Sequence, residues 1–217
     1  MSPDGFTLVL ETSTYAGSVA VIRGAEVVFT LDVEMRGRDE ERLMPAVAEC
    51  VAKLPEGLQS VGRVVCGAGP GSFTSLRIAA SIAKGICHAR GIPLFAVSSL
   101  ALIVAGSPLA ERTGRFMVSL DAMRGEGFVA VIEVEADGVI PAAVPFKIAQ
   151  RAAAMADAEL AGARALDGAP HAAGVARMLD SIVAAGPVDV AGWEPDYGRA
   201  AEAQVKWEAA HGRPLPK

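Results

Sequence analysis

GSVAVI at residues 17–22 recurs as GFVAVI at residues 127–132. The shift of 110 residues, from position 17 to position 127, also aligns Leu10-Glu11 with Leu120-Asp121. Each half of the chain therefore contains an apolar strand, an acidic residue, a polar turn and a second apolar strand. Chance similarity between two Val- and Ala-rich hairpins is the alternative. The glycine and the acid that match at one register favour a duplicated unit.

The order of the remaining patterns predicts an α/β fold. Short β-branched runs at 6–11, 18–22 and 26–33 alternate with turns and predict an antiparallel meander. Next we expect a helix at 39–54 with Pro45 in its first turn, a strand at 61–66, a helix at 72–90 capped by Ser72 and ended by Gly91, a strand at 94–97, a helix at 100–105, and a second hairpin at 116–121 and 127–135. Strand, helix and strand in this order predict parallel strands at the edge of the meander.

The duplicated hairpin is typical of the actin, hexokinase and Hsp70 type of fold. We therefore predict an actin-like ATPase fold (ASKHA, ribonuclease H-like) with two lobes, at residues 1–105 and 106–217. Whether a C-terminal helix at about 195–211 packs back on the first lobe stays open. In such ATPases each turn carries glycines whose amides approach phosphates and an Asp that orders magnesium. Here neither turn has glycine directly after the acid, and the first acid is Glu11, so the phosphate chemistry is eroded.

Composition and charge exclude several classes of protein. Apolar residues make up 52% and charged residues 21% of the 217 residues, which suits a globular core. The net charge of -5 has the wrong sign for a protein that binds nucleic acid by itself. The first residues contain no basic leader, and the longest apolar stretch, around 92–105, is too short to cross a bilayer. We therefore expect a cytoplasmic protein.

Cysteines and histidines do not indicate a metal or redox site. Cys50, Cys66 and Cys87 form no CxxC pair and lie in apolar runs, so we expect buried thiols. The histidines are far apart and form no helix-spaced zinc pair. We therefore expect no metal on this chain.

Residues 67–77 (GAGPGSFTSLR) connect a strand with the long helix, and their glycines allow two interpretations. A glycine-rich loop before a helix N-terminus is able to bind an anion. This loop lacks the Lys-Ser/Thr of a Walker loop and the third glycine of a dinucleotide fingerprint. The alternative is a tight turn whose glycines permit close backbone approach. Both interpretations, an anion or partner site and a structural turn, stay open at this stage.

Several motifs together resemble the TsaB family, also called YeaZ. They are LVLETST at 8–14, RLMP at 42–45, GPGSFT at 69–74 with Leu76-Arg77, KG at 84–85, IPL at 92–94 and VSSL at 97–100. The similarity covers the first lobe almost continuously, weakens at 121–126 and fades after Gly138. Two residues depart from the family pattern, since Glu11 stands where Asp is usual and Ser75 where Gly is usual.

The resemblance implies a function in tRNA modification. TsaB proteins are catalytically silent paralogues of TsaD, which transfers a threonylcarbamoyl group to N6 of adenosine 37 in tRNAs that read codons starting with A. The implied partners are TsaD and the ATPase TsaE, with tRNA contacted only through the complex and with a homodimer possible in isolation. ATP is used by the complex, and no cofactor is expected on this chain alone. No catalytic residue is expected, and the carried-over motif residues are Glu11, Thr12, Ser13, Gly69, Pro70, Gly71, Ser72, Phe73 and Thr74.

Two helices carry more apolar surface than one sheet face requires. On a helical wheel the second helix has a narrow polar stripe with apolar residues on both sides. The resemblance implies docking to TsaD through helices of the first lobe. The expected interface residues are Leu43, Met44, Val47, Leu76, Arg77, Ala80, Ala83 and Lys84. The alternative is that the second lobe covers these faces.

Two competing functions follow from the same sequence. The duplicated hairpin is compatible with a stand-alone ATPase or small-molecule kinase, although the missing turn glycines oppose it. A metal-dependent glycoprotease is disfavoured, because the chain has neither paired histidines nor a GxSxG nucleophile elbow. Binding of magnesium-ATP to the isolated chain distinguishes the kinase hypothesis from the scaffold hypothesis.

Overall fold

The computed structural model describes residues 5–35, 41–108, 113–199, 207 and 210–213. The strands are β1 (Phe6–Glu11), β2 (Ala16–Arg23), β3 (Glu26–Glu34), β4 (Val61–Gly67), β5 (Leu94–Val97), β6 (Gly114–Asp121), β7 (Glu126–Val134), β8 (Lys147–Gln150) and β9 (Arg164–Ala165). The helices are α1 (Leu43–Ala52), α2 (Phe73–Arg90), α3 (Ser99–Gly106), α4 (Arg151–Leu160) and α5 (Leu179–Ala184), with 3₁₀ helices at Gly57–Ser60 and Ala172–Arg177.

The first sheet confirms the predicted mixture of antiparallel and parallel strands. Its strands lie in the order β3-β2-β1-β4-β5. β2 pairs antiparallel with β1 and β3, whereas β4 runs parallel to β1 and β5. The carboxyl ends of β1 and β4 therefore lie side by side. This arrangement brings the turn after β1 next to the glycine-rich loop after β4.

α1 is shorter than its sequence pattern predicts. The helix expected at 39–54 spans Leu43–Ala52, and residues 36–40 lie outside the described residues. Pro45 lies in the first turn, as predicted, where a missing amide hydrogen leaves no helical bond unmade. The Glu41 carboxylate accepts the first two amide hydrogens of the helix, at 2.5 and 3.1 Å.

α2 begins and ends as predicted, although its cap is made differently. Gly91 terminates the helix in a left-handed conformation, with φ of 63°. Ser72 precedes the helix, but its hydroxyl lies 3.0 Å from the Ser75 hydroxyl and caps no backbone amide. In the part of the chain that the structure describes, no helix combines the length and apolarity that crossing a bilayer requires.

The second sheet contains the predicted second hairpin with its register shifted by one residue. Its strands lie in the order β8-β7-β6-β9. Ser18 pairs with Glu11 in the first hairpin, whereas Phe128, which aligns with Ser18, pairs with Leu120 in the second. The structural counterpart of Glu11 is therefore Leu120, and its predicted match with Asp121 is wrong. Because side chains alternate along a strand, this shift turns Asp121 to the opposite face of its sheet.

A common apolar layer lies between the two sheets. α3, the 3₁₀ helix Ala172–Arg177 and α5 share one buried cluster with Val9 and Ile22 of the first sheet and Phe116 of the second. α1 and α2 pack with a separate buried cluster that includes the other face of the first sheet. Burial of this apolar surface is the main favourable contribution to folding. The proposed division at residues 105 and 106 stays a prediction, since this cluster joins both lobes.

The chain returns to the first lobe after α5. We call residues 187–197 the strap. The Val188 amide donates to the Leu94 carbonyl, and the Asp196 amide donates to the Ala68 carbonyl, both at 2.8 Å. These bonds fix the two ends of the strap to the first sheet and to the glycine-rich loop.

The middle of the strap is held by α2. The Lys84 ammonium donates to the carbonyls of Ala191 and Trp193, at 3.2 and 2.7 Å. The Trp193 side chain also packs against the apolar cluster beneath α2. The helix predicted at about 195–211 is not formed at 195–199, whereas residues 207, 210 and 211 are helical. Residues 200–206, 208 and 209 lie outside the described residues.

Candidate functional site

Residues 68–72, the part of the glycine-rich loop that lies between β4 and α2, are held against the turn that follows β1. The Ser72 amide donates to the Ser13 carbonyl at 2.7 Å. The buried Thr12 hydroxyl donates to the Ser75 carbonyl at 2.9 Å. Since these polar groups bond within the chain, the loop joins β1 to α2.

The loop glycines permit close backbone contacts. Gly69 has φ of 85°, and a Cβ there would lie 2.2 Å from the Asp196 carbonyl oxygen. A Cβ on Gly71 would lie 2.2 Å from the Ser13 carbonyl oxygen. No side chain fits at either distance, so both positions require glycine. These contacts favour the structural interpretation of the loop over an anion site.

Glu11 is completely buried behind this loop. The Ser13 amide donates to its Oε1 at 2.6 Å, and the Ser99 hydroxyl donates to its Oε2 at 2.8 Å. Burial nevertheless raises the pKa of the Glu11 carboxyl above its usual value, because the two hydrogen bonds compensate only part of the lost hydration. A Cβ on Gly67 would lie 2.2 Å from Oε2, so this glycine provides the space for the longer acid. The carboxyl group therefore connects β1, β4 and α3 away from solvent.

A cleft of about 470 Å³ opens between the two lobes. The Phe73 ring contacts the Tyr197 ring, with centroids 4.4 Å apart. Arg199 lies at the cleft and forms an ion pair with Glu126. The lining residues are Ser13, Thr14, Tyr15, Gly71, Ser72, Phe73, Thr74, Leu120, Asp121, Ala122, Met123, Phe128, Tyr197 and Arg199.

The motif residues carried over from the TsaB family divide between the cleft and the core. The members that line the cleft are Ser13, Gly71, Ser72, Phe73 and Thr74. The members that lie buried behind it are Glu11, Thr12, Gly69 and Pro70. The motif therefore forms one wall of the cleft and the support for that wall.

The turn between β6 and β7 forms the opposite rim. Asp121 is exposed, and its Oδ1 accepts the Met123 amide hydrogen at 2.8 Å. Met123 and Arg124 have φ of 68° and 59°, conformations that are unfavourable for residues other than glycine. Met123 is 63% exposed. The turn thus presents a carboxylate and an apolar side chain to the cleft at a conformational cost.

A shallow groove of about 290 Å³ lies between α1 and α2. Met44 is 47% exposed, and Ile78 and Ile82 are half-buried beside it. Arg77 also lies over the Phe73 ring, 5.3 Å from its centroid, and so touches a wall of the cleft. The groove is lined by Glu41, Met44, Arg77, Ile78, Ser81 and Ile82.

Most of the expected interface residues do not form a free surface. Met44 and Arg77 are exposed and line the groove. The buried members are Leu43, Val47, Leu76, Ala80 and Ala83, so the expectation that their helix faces are uncovered is wrong. Leu43, Val47 and Ala83 pack into the apolar cluster of the first lobe, and Lys84 is bonded to the strap.

The strap explains why one side of α2 is covered. Phe73, Ala80 and Lys84 lie on one line of the helix, because they are separated by seven and four residues. Tyr197 contacts the first of these residues and the Trp193 carbonyl contacts the last. Ala80 lies between them and is only 5% exposed. These contacts favour the alternative that the second lobe covers this face of α2, since the strap belongs to residues 106–217.

Sequence reasoning missed several residues of the cleft and the groove. Ile78 and Ile82 are absent from the expected interface residues, although their position beside the polar stripe of α2 is a usable signal. The Ser99 hydroxyl bonds Glu11, and its place beside the predicted helix at 100–105 does not reveal this contact. Tyr197 and Arg199 fall within the helix predicted at about 195–211, and no motif there indicates that they line a cleft.

The cysteines are buried and free, as predicted. Burial raises the pKa of the Cys87 thiol to about 11. Burial also raises the pKa of the Cys66 thiol, and the neighbouring Glu11 carboxylate adds to this effect. Thiolate chemistry at neutral pH is therefore disfavoured at both positions. Within the described ranges, no three His, Cys, Asp or Glu side chains are grouped to hold a metal ion.

Known proteins provide an independent comparison. The family model described as TsaD, tRNA N6-adenosine threonylcarbamoyltransferase, matches residues 37–165, which is more than half of the chain. The tRNA threonylcarbamoyladenosine biosynthesis protein TsaB of Haemophilus influenzae is 29% identical over 125 residues, which are 58% of this chain and 52% of that protein. The TsaB of Bacillus subtilis is 28% identical over 138 residues, or 64% and 59% of the two chains. The chain belongs to the TsaB (YeaZ) family.

The structural comparison agrees with this family. A Pseudomonas aeruginosa structure, described as an uncharacterized protein with similarity to peptidase YeaZ, is 25% identical and has a TM-score of 0.73. The match covers 90% of this chain and 100% of that one. The predicted actin-like α/β fold is therefore that of the TsaB family. The chain spans about half the length of the curated relatives it matches.

Proposed function

We propose that this chain is a non-catalytic subunit of the assembly that forms N6-threonylcarbamoyladenosine at position 37 of tRNA. Its family and the names of its relatives support this pathway. The complete burial of Glu11 favours a non-catalytic role, because this carboxyl group has no access to a substrate. The amides of Ser13 and Ser72 already donate within the chain and are not available to a phosphate. TsaD performs the transfer, TsaE and ATP act in the same complex, and tRNA is contacted through that complex in the cytoplasm.

The groove between α1 and α2 is the proposed docking surface for TsaD. Met44, Ile78 and Ile82 supply apolar area that the first lobe leaves partly uncovered. Glu41 and Arg77 stand at the groove with opposite charges, which would fix the orientation of a docking helix. An apolar centre with polar groups at its edge is typical of protein interfaces. In the absence of TsaD, a second copy of this chain is able to use the same surface.

Reconstitution of the tRNA modification tests this function. TsaD and TsaE from the same organism are combined with unmodified tRNA, ATP, threonine and bicarbonate, together with the enzyme that supplies the threonylcarbamoyl adenylate. We expect omission of this chain to abolish the modification, and Glu11→Gln to retain it within about twofold, because the amide preserves the buried hydrogen bonds. Glu133→Gln, at an exposed position of β7, is the matched control. A Glu11→Gln chain that folds, binds TsaD and yet supports no turnover would contradict the non-catalytic role.

A further inference from the structure

The glycine-rich loop is a structural turn, but the helix that follows it begins at the wall of the cleft between the lobes. Phe73 and Thr74 are the first two residues of α2, and both line the cleft. Their amide hydrogens have no acceptor among the described residues, since the Ser72 hydroxyl caps no amide and the first turn contains no acidic side chain. Unpaired amides and the positive end of the helix dipole both favour a negatively charged oxygen at this point.

A buried hydroxyl beside this turn also lacks a partner. Ser13 lines the cleft and is 3% exposed, and no described residue forms a hydrogen bond with its Oγ. Ser13 lies next to the start of α2, because its carbonyl accepts the Ser72 amide hydrogen and its Cβ would lie 2.7 Å from a Cβ on Gly71. A buried hydroxyl without a partner is costly, so an acceptor atom supplied by a ligand would be favourable. We call the Ser13 hydroxyl and the amides of Phe73 and Thr74 the free donors.

The charges around the cleft favour a ligand with a single negative charge. The Arg77 guanidinium lies beside the wall, 5.3 Å from the Phe73 centroid, and forms no ion pair with a described acidic residue. Asp121 on the opposite rim offsets this positive charge, and Arg199 is paired with Glu126. No lysine is among the described lining residues. A polyphosphate requires more positive charge and more free amides than this cleft supplies.

The opposite side of the cleft is apolar. Leu120 and Phe128 line it from the second sheet, and the Met123 side chain, which is 63% exposed, stands at its rim. The volume of about 470 Å³ suits a small organic ligand, and a flexible thioether adapts to apolar groups of different shape. We propose that the cleft binds an organic carboxylate, with its oxygens at the free donors and its apolar body against Leu120 and Met123. The C-terminus of a peptide and a free organic acid share this chemistry.

NMR titration of the full chain with N-acetyl-leucine measures this binding. We expect saturable shifts of the Phe73 and Thr74 amides and an affinity loss of about tenfold in Ser13→Ala, because the variant removes one hydrogen bond to a charged group. Its stability should not fall, since the hydroxyl has no partner in the free chain. Ser98→Ala is the matched control. The Ser98 hydroxyl is also buried without a partner among the described residues, but Ser98 does not line the cleft, so this variant should bind the probe like the wild type.

Three further probes test the chemical class. N-acetyl-leucine amide keeps the apolar body without the charge and should bind at least about tenfold more weakly, and pyrophosphate should also bind more weakly than N-acetyl-leucine. Tighter binding of N-acetyl-leucine than of 4-methylpentanoate supports a peptide C-terminus as the ligand, and the reverse order supports a free organic acid. The proposal is overturned by an absence of saturable shifts, by equal affinity for the neutral amide, by tighter binding of pyrophosphate, or by an unchanged affinity in Ser13→Ala. No variant in this test alters the docking groove, so these results do not affect the proposed function.

Discussion

The two sides of α2 differ in what covers them. On one side the strap runs past Ala80, and its carbonyls are bonded by Lys84. On the other side Ile78 and Ile82 remain half-buried beside exposed Met44. Small residues mark the side where a backbone approaches closely, and large β-branched residues mark the side that is left partly open. The difference teaches that a wide apolar surface on a helix predicts that the helix is covered, but does not identify the segment that covers it.

The largest effect on stability is expected at the covered side. Ala80→Arg places a long cation where only 5% of the residue is exposed, so we expect the free energy of unfolding to fall by about 3 kcal/mol or more. Urea unfolding of the isolated chain measures it. Ser81→Arg is the matched control, because Ser81 is exposed, and its effect should stay within about 0.5 kcal/mol. Equal effects of the two variants would show that the strap does not cover α2.

A smaller loss is expected when the strap is released. Lys84→Met removes two hydrogen bonds to strap carbonyls, which should cost about 1–2 kcal/mol. In a Trp207→Phe background, the Trp193 fluorescence should shift to the red as its ring becomes more exposed. Lys53→Met, which removes an exposed pair with Glu49, should leave both quantities nearly unchanged. An unaltered spectrum in Lys84→Met would mean that other contacts hold the strap.

Glu11 makes stability depend on pH. Its pKa is raised in the folded chain, so its favourable contribution is present at low pH and is lost as pH rises through the folded pKa. Glu11→Gln should match the wild type in acid and become the more stable chain toward neutral pH. Ser99→Ala removes a bond that favours the charged form, so it should make the loss larger and extend it to higher pH. Thermal unfolding of both chains from acid to neutral pH measures this difference in stability. Parallel profiles of stability against pH for Glu11→Gln and the wild type would be incompatible with a raised pKa of Glu11.

The sequence predicted the elements that depend on local patterns. The strands of the first sheet and the bounds of α2 follow from β-branched runs, from Gly91 and from apolar spacing. The register of the second hairpin could not be predicted in this way. Seven residues, 121–127, separate the paired Leu120 and Phe128, whereas six residues, 12–17, separate the paired Glu11 and Ser18. An alignment of the two halves at one constant shift, without gaps, does not reveal an insertion of one residue.

The parts of the site that depend on distant segments were beyond sequence reasoning. The strap has no periodicity and is held by backbone carbonyls, which no side-chain pattern reveals. Ala80 lies between the two contacts of this segment with α2 and is only 5% exposed, which the composition of α2 does not predict. The buried role of Glu11 needed Ser99, which is distant in sequence and becomes a neighbour through the parallel strands. The glycine-rich loop was correctly located, while its two interpretations could be separated only by the contacts of Gly69 and Gly71.

The open side of α2 is expected to show the smallest change in stability and a loss of partner binding. Calorimetric titration of TsaD from the same organism with the double variant Met44→Asp/Ile82→Asp is the most direct measurement of the docking groove. We expect unfolding to change by less than about 1 kcal/mol and affinity to fall about a hundredfold, because two carboxylates would be desolvated in the interface. Val131→Asp is the control, because Val131 of the second lobe is 44% exposed, similar to Met44 at 47%. This variant should bind TsaD like the wild type. Wild-type affinity in the folded double variant would contradict the account.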